Sequence, residues 1–346
     1  MSQHIFNKRF GYVIIFIALL LIAYPLLYYA YKFYNPNLGG IDFYYYYPLY
    51  KDFDISKVEA PFNMRLVGSF FVYLLSKSGF YYDAVVSFHN ENINQKIFFN
   101  AIFVNWLSVV ITLFLLFRSA YMQSKTFWFA FAMILIFLTG FGTLFFLSNP
   151  TSDGFSVLLI TITYILYKQK NILIYLLYVL LLFQREFAFI IFGILAFIDF
   201  IYSKEKFYLY HFGINIFLFL TYIILRKTLF YTPLCSLQIR QDTFINSIFY
   251  TPLDLWAFCK QVFLSQNIYF LYCLVALLNY RYQLSINKKH LYTLIIFIIL
   301  TFLISRIAVA NNNMSRFLYM FVPILILEMI VPELLKLKAK LPTLFS

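Results

Sequence analysis

The sequence predicts an all-α polytopic membrane protein with roughly ten transmembrane helices and with interfacial helices in its first outer loop. Three observations predict it. Hydrophobic residues make up 63% of the 346 and charged residues 12%, with a mean hydropathy of +0.79, which is more apolar surface than a soluble core can hide. The apolar residues fall in long runs separated by short polar segments. Basic residues gather in those segments, so the net charge of +13 reads as orientation in a membrane and excludes a nucleic-acid surface.

Lys8 and Arg9 precede the first run, Tyr12 to about Tyr31, and place the amino terminus in the cytoplasm. That run is too long for a signal-peptide core and lacks a small-residue cleavage site, so it reads as a retained span. The first outer loop follows, at about residues 33–96. Within it FYYYYPLYKDF suits a short helix, and Met64 to Phe80, broken by Lys77, suits a helix lying at the interface. Ile97 to Phe117 returns inward to Arg118 and Lys125, and Phe127 to Leu147 leads out to SNPTSDG. Phe155 to Tyr167 ends in KQK, an inner-face signal. Ile172 to Ile201 is longer than the roughly twenty residues one crossing needs. Its central interruption, Gln184-Arg185-Glu186, would be costly at the bilayer centre. The run therefore splits into two short spans with Arg185 and Glu186 at the outer turn. Phe207 to Leu225 leads to a second large outer segment, about 226–261, and Val262 to Tyr280 returns to the basic RYQLSINKKH. Leu291 to Ala308 and Phe317 to Val331, joined through NNNMSR, complete the set and leave the Lys-rich carboxyl terminus inside. Without an internal repeat or a low-complexity linker, residues 1–346 read as one transmembrane domain.

The acids gather on the predicted outer side: Asp42, Asp52, Asp54, Glu59, Asp83, Glu91, Asp153, Glu186, Asp242 and Asp254. Acids contribute little to orientation, so this concentration points to a working outer surface. Asp42 follows two glycines that permit a tight turn, and serves either as a general base near the membrane surface or as the cap of the helix that follows. Asp52 and Asp54 have the D-x-D spacing that suits a divalent metal, although two acids in an exposed loop are ordinarily just solvated. Tyr44 to Tyr47 can stack on a sugar ring or anchor the chain in an aromatic belt. Arg65, in APFNMRL, can hold a lipid phosphate or snorkel to head groups.

Arg185 and Glu186 are charges set between apolar runs, a functional position by default; a structural ion pair of Arg185 with Asp153 is the competing reading. Arg306, near the outer end of its span, and Arg316, opening the last span, can join Arg185 in a cationic pocket for phosphate or pyrophosphate. Asn311 to Asn313 can donate hydrogen bonds to a sugar or form a plain loop. The four histidines are scattered and the three cysteines lack metal-ligand spacing, although Cys235 and Cys259 could close an outer disulfide. No Gly-rich phosphate loop, Ser/His/Asp arrangement or zinc signature is present.

With these residues laid out, the chain resembles the membrane-embedded glycosyltransferases of the GT-C fold, in particular the compact bacterial ones. The likeness rests on Asp42 shortly after the first span, on PFNMRL at Pro61 to Leu66, on Asn149 to Asp153 at an outer helix end, on Arg185-Glu186 between short runs, and on Ser315 to Phe317 near the last span. The resemblance implies an inverting enzyme at the outer face of the bacterial inner membrane, with a polyprenyl-phosphate sugar as donor and a glycan, lipid or protein as acceptor. Asp42 would act as general base, and Asp153 and Glu186 would orient donor or acceptor. Arg65, Arg185 and Arg316 would hold the departing phosphate, so no cofactor or metal is required. The chain departs from larger members in having a single acid at Asp42 and no large soluble carboxyl-terminal domain. A rival reading is a polysaccharide polymerase or ligase acting on undecaprenyl-pyrophosphate glycans, which would depend on arginines and not on Asp42. A transporter or flippase would place its polar residues at the bilayer midplane on broken helices.

Overall fold

The computed structural model describes residues 9–33, 43–59, 61–80, 94–140, 142–144, 150–230, 268–307 and 314–341; the side chains of residues 9 and 301–319 lie outside that description. The described chain is helical, with no strand among the described residues. Its helices are α1 (Arg9–Phe33), α2 (Phe43–Asp52), α3 (Leu66–Ser78), α4 (Gln95–Ser124), α5 (Phe127–Leu138), α6 (Asp153–Lys168), α7 (Ile174–Leu182), α8 (Phe187–Ser203), α9 (Lys206–Thr228), α10 (Ile268–Arg281), α11 (Lys288–Ile307), α12 (Met314–Leu325) and α13 (Val331–Lys340). Short 3-10 turns stand at Ile55–Lys57 and Phe62–Met64, between α2 and α3.

Three of these helices, α1, α4 and α9, are long and apolar enough to cross a membrane. They are not equivalent. In the apolar window of α4 72% is buried within the protein, against 28% in α1 and 17% in α9, so α4 is an interior post while the other two present apolar faces outward. The buried Asn100, Asn105, Ser108 and Thr112 of α4 fit that interior position, because a lipid-facing helix could not satisfy them.

The run from Ile172 to Ile201 is divided as its polar interruption predicts, into α7 and α8 with a break at residues 183–186. Elsewhere hydropathy misplaces the ends. α5 stops at Leu138, where Thr139 and Thr143 turn their hydroxyls back on Leu135 O and Phe137 O beside Gly140, and residues 142–144 are helical again. α4 runs on past Arg118 to Ser124, with α13 at its end. There Lys338 Nζ donates to Ser124 O at 2.7 Å and to Thr126 Oγ1, capping the terminal carbonyls with a cation. α12 continues through a π-turn, Ile326–Ile330, into α13. Pro332 supplies the cause, since it cannot donate to Glu328 O and its ring crowds that carbonyl.

α4, α6 and α8 each run out into a lysine in the left-handed conformation: Lys125 (φ 56°), Lys170 (φ 52°) and Lys204 (φ 60°). Glycine is the usual occupant of such a position.

The chain divides into two compact units, one of Leu20–Ile111 with Phe145–Ser236, the other of Met1–Leu19, Thr112–Leu144 and Leu237–Ser346. In the first, α2 turns Phe43, Tyr46, Leu49 and Tyr50 inward, the 3-4-7 spacing of one helical face. Phe43 meets Phe98 of α4 edge-on at 5.5 Å, and Phe99 meets Tyr31 of α1 at 5.2 Å. Trp106 Nε1 donates to Ala23 O at 2.8 Å. α6 to α9 are joined by buried polar contacts: Tyr167 OH donates to Asp199 Oδ2 at 2.8 Å, Lys168 pairs with Asp199 at 3.1 Å, and Tyr178 OH lies 3.1 Å from His211 Nδ1.

In the second unit, Glu333 of α13 gathers α10 and α11. Asn279 Nδ2 donates to it at 2.8 Å, His290 Nδ1 lies 2.7 Å away and Lys336 Nζ 3.0 Å away. Lys289 pairs with Glu328 at 2.7 Å. Burial raises the Glu333 carboxyl, but the hydrogen bonds and charges of His290 and Lys336 outweigh it and hold the group below its ordinary 4.5. A carboxylate depressed in the folded state stabilises fully above its unfolded value, and that stability is lost as pH falls through the depressed one. The thermal midpoint of the wild type should therefore exceed that of Glu333→Gln at pH 7, and the gap should close below pH 4.5.

Candidate functional site

The polar pieces of the first unit meet where three stretches of chain end or begin helices. The first is the 3-10 turn Phe62–Met64 and the residue that closes it, Arg65. Tyr45 stacks on Phe62 at 4.7 Å and the Arg65 guanidinium lies 5.1 Å from the same ring, so α2 and this turn form one aromatic bed. Arg65 Nη1 donates to Tyr46 OH at 2.7 Å, and Arg65 Nη2 lies 3.8 Å from Glu186 Oε1.

The second stretch is the start of α6. Thr151 Oγ1 donates to Asp153 Oδ2 at 3.1 Å, and Ser152 Oγ donates to Tyr46 OH at 3.3 Å. Asp153 is completely buried in the first turn of α6, where the helix dipole favours an anion. Gly154 lets α6 lie against α4: its N–H donates to Asn105 Oδ1 at 2.9 Å, and a Cβ there would stand 2.6 Å from Asn105 O.

The third stretch is the break between α7 and α8. Arg185, 3% exposed, forms an ion pair with Asp153, 0% exposed, and Glu186 begins α8 as its N-cap residue. Gln184 is the keystone. Its Oε1 accepts from Gly68 N at 2.8 Å, and its Nε2 donates to Ser152 O at 3.0 Å and Ser156 Oγ at 2.9 Å. Leu66 N and Val67 N donate to Phe183 O at 2.8 and 3.3 Å. The first N–H groups of α3, which no helix can satisfy from within, are thus supplied by the break. α3 and the break between α7 and α8 are one hydrogen-bonded body.

Of the residues expected at the site, the structure brings together Arg65, Asp153, Arg185 and Glu186. Arg185 pairs with Asp153, and that pair lies inside the cluster. Tyr44 is 44% exposed, whereas Tyr46 is fully buried and touches Arg65. The register of α2 selects it, and the inward spacing of Phe43, Tyr46 and Tyr50 was the readable sign. Gln184 and Ser152 have no comparable signal, being uncharged residues in turns. Asp42 and Asn313 lie outside the described residues. Arg306 stands in the last turn of α11 and Arg316 in the first turn of α12, both in the second unit, with side chains outside the description. Cys235 and Cys259 also lie outside the described residues, while Cys273 is a free thiol.

Asp54 of the D-x-D pair caps the Ile55–Lys57 turn. The hydrogen bond from Ser56, and then the one from Lys57, lower its carboxyl below the ordinary range. Among the described residues no group of three His, Cys, Asp or Glu could hold a metal ion. In the same unit, α1 and α4 enclose an apolar crevice of about 250 Å3 lined by Tyr24, Leu27, Tyr28, Tyr31, Phe80, Phe99, Phe103 and Trp106.

The chain matches no model of a known protein family, no curated protein and no solved structure.

Proposed function

We propose that the chain is an inverting membrane glycosyltransferase of GT-C type, moving a hexose or pentose from a polyprenyl-phosphate donor to a glycan, lipid or protein acceptor. In this reading the protein crosses the bacterial inner membrane about ten times with both termini cytoplasmic, and the cluster faces the periplasm or cell exterior. The observation that supports it is the meeting of Arg65, Asp153, Arg185 and Glu186, far apart in sequence, in one buried cluster at helix ends. Charges so buried are costly to assemble, and helix-end placement suits a substrate whose head group sits at the membrane surface. The aromatic crevice in the same unit suits the hydrocarbon chain of such a lipid.

In the proposed reaction Asp42 takes the proton of the acceptor hydroxyl, whose oxygen attacks the anomeric carbon from the face opposite the lipid. The bond from that carbon to the phosphate oxygen breaks, its electron pair leaves with the phosphate, and configuration inverts. Negative charge grows on the departing phosphate, and Arg65 is placed to meet it, held on the Phe62 ring and by Tyr46. Arg185 is matched to Asp153 and acts by fixing the break on which Glu186 stands; Glu186 in turn orients Arg65.

The test is release of sugar from radiolabelled polyprenyl-phosphate hexose by the purified protein in nanodiscs, with membrane extract as acceptor. Asp42→Asn and Arg65→Gln should each slow release by about 100-fold or more, the scale of losing a base or a charge-stabilising donor, and a chelator should leave the wild type unaffected. Equal rates in all three proteins would remove the catalytic assignment. Turnover of a pyrophosphate-linked oligosaccharide alone would move the assignment to a polymerase or ligase.

A further inference from the structure

Arg185 is matched by Asp153, and Arg65 is shared between Tyr46 and Glu186, yet the cluster receives a third guanidinium, from α9. Asn63 Nδ2 donates to Phe230 O at 2.9 Å, and the Phe230 ring lies 6.4 Å from that of Phe183. The end of α9 is therefore seated on both the 62–64 turn and the 183–186 break. Tyr222 and Arg226 stand four residues apart on one face of α9 near this end. Tyr222 is 4% exposed, and its hydroxyl has no hydrogen-bond partner among the described residues. Arg226 Nε is buried and likewise without a partner among them. The Tyr222 hydroxyl lies within electrostatic reach of Glu186, Arg226, Arg65 and Arg185.

A buried phenol and guanidinium N–H with nothing to bond are expensive unless a ligand completes them. Among the described residues the cluster holds three arginines against two carboxylates, an excess of positive charge. An ionised oxygen-rich group with several acceptors answers both conditions, since guanidinium forks fit phosphate and the phenol supplies one more donor.

We infer that Tyr222 and Arg226, with Arg65, form a binding site for the phosphate of a phosphomonoester, carried either by a lipid or free in solution. The lipid source rests on the function proposed above; the site itself does not.

Binding is measured with sugar-free polyprenyl phosphate in nanodiscs, so that no transfer step is involved, and with inorganic phosphate as competitor. The wild type should bind saturably. Arg226→Gln should weaken binding by about tenfold or more, and Tyr222→Phe by several-fold, roughly the cost of one charge-assisted and one neutral hydrogen bond. Lys227→Gln, which removes an exposed neighbouring charge, should change nothing. Competition by inorganic phosphate only at far higher concentration names the lipid as source; competition at equal concentration names free phosphate. Wild-type affinity in Arg226→Gln and Tyr222→Phe, or an equal loss in Lys227→Gln, would overturn the site. If Arg226→Gln lowers the thermal midpoint, Arg226→Lys replaces it, keeping the charge without the planar fork, and unaltered binding there would likewise overturn it. Arg226-dependent binding without any sugar transfer leaves this site standing and removes the glycosyltransferase reading.

Discussion

Arg185→Ala should cost about 3 to 5 kcal/mol of folding stability, the scale for removing one partner of a buried ion pair. Asp153 would keep its charge in a position with no solvent exposure, supported by Thr151 and the α6 dipole. Asp153→Asn should cost a similar amount, because the buried Arg185 guanidinium loses its counter-charge even though the amide oxygen can still accept from it. The paired change Arg185→Met with Asp153→Leu should recover much of the loss, since burying two charges is itself costly. Reversible unfolding in mixed micelles checks the series and gives the coupling between the two positions. A paired variant as stable as the wild type but inactive would show that the charges serve function. A paired variant that is stable and active would reduce them to scaffolding.

Gly154→Ala is the second large effect. Its Cβ would stand 2.6 Å from Asn105 O, 2.9 Å from Asn105 Oδ1 and 3.0 Å from Asn105 Cα. Two of these atoms are backbone within α4, the interior post, so the helices must separate and draw Asp153 away from Arg185. A loss of about 1 to 3 kcal/mol follows from overpacking, with the Gly154 to Asn105 hydrogen bond at risk besides. Gly68→Ala meets Ser152 Cβ at 3.2 Å and the Gln184 side chain at 3.3 Å, which can give a little, so it should cost less. Gly213→Ala meets nothing within 4 Å and should be neutral or stabilising. Thermal midpoints of the three variants should rank in that order.

Much of this was legible where charge interrupts hydropathy. Gln184-Arg185-Glu186 marks a break because no apolar environment would receive those residues, and the break is there. FYYYYPLYKDF reads as a helix because its large rings recur at helical spacing. Where hydropathy runs on without interruption, the sequence is silent about helix ends. Phe127 to Leu147 looks continuous, yet α5 ends where two threonines turn back on the backbone. The site follows the same division. Arg65, Asp153, Arg185 and Glu186 stand out as charges in an apolar chain. Tyr46, Gln184 and Tyr222 do not, because their role depends on which of many tyrosines or turn residues the packing turns inward.

The left-handed lysines carry two kinds of information at once. In the proposed topology Lys125, Lys170 and Lys204 belong to loops that must stay on the cytoplasmic side while the chain is being threaded into the bilayer. In the finished fold each holds a backbone conformation that disfavours any side chain by roughly 1 to 2 kcal/mol. Glycine would relieve the folded protein and erase the address; lysine keeps the address and leaves the folded protein under tension. In that topology a signal read only during synthesis would leave a permanent imprint on the backbone, at the places where helices end.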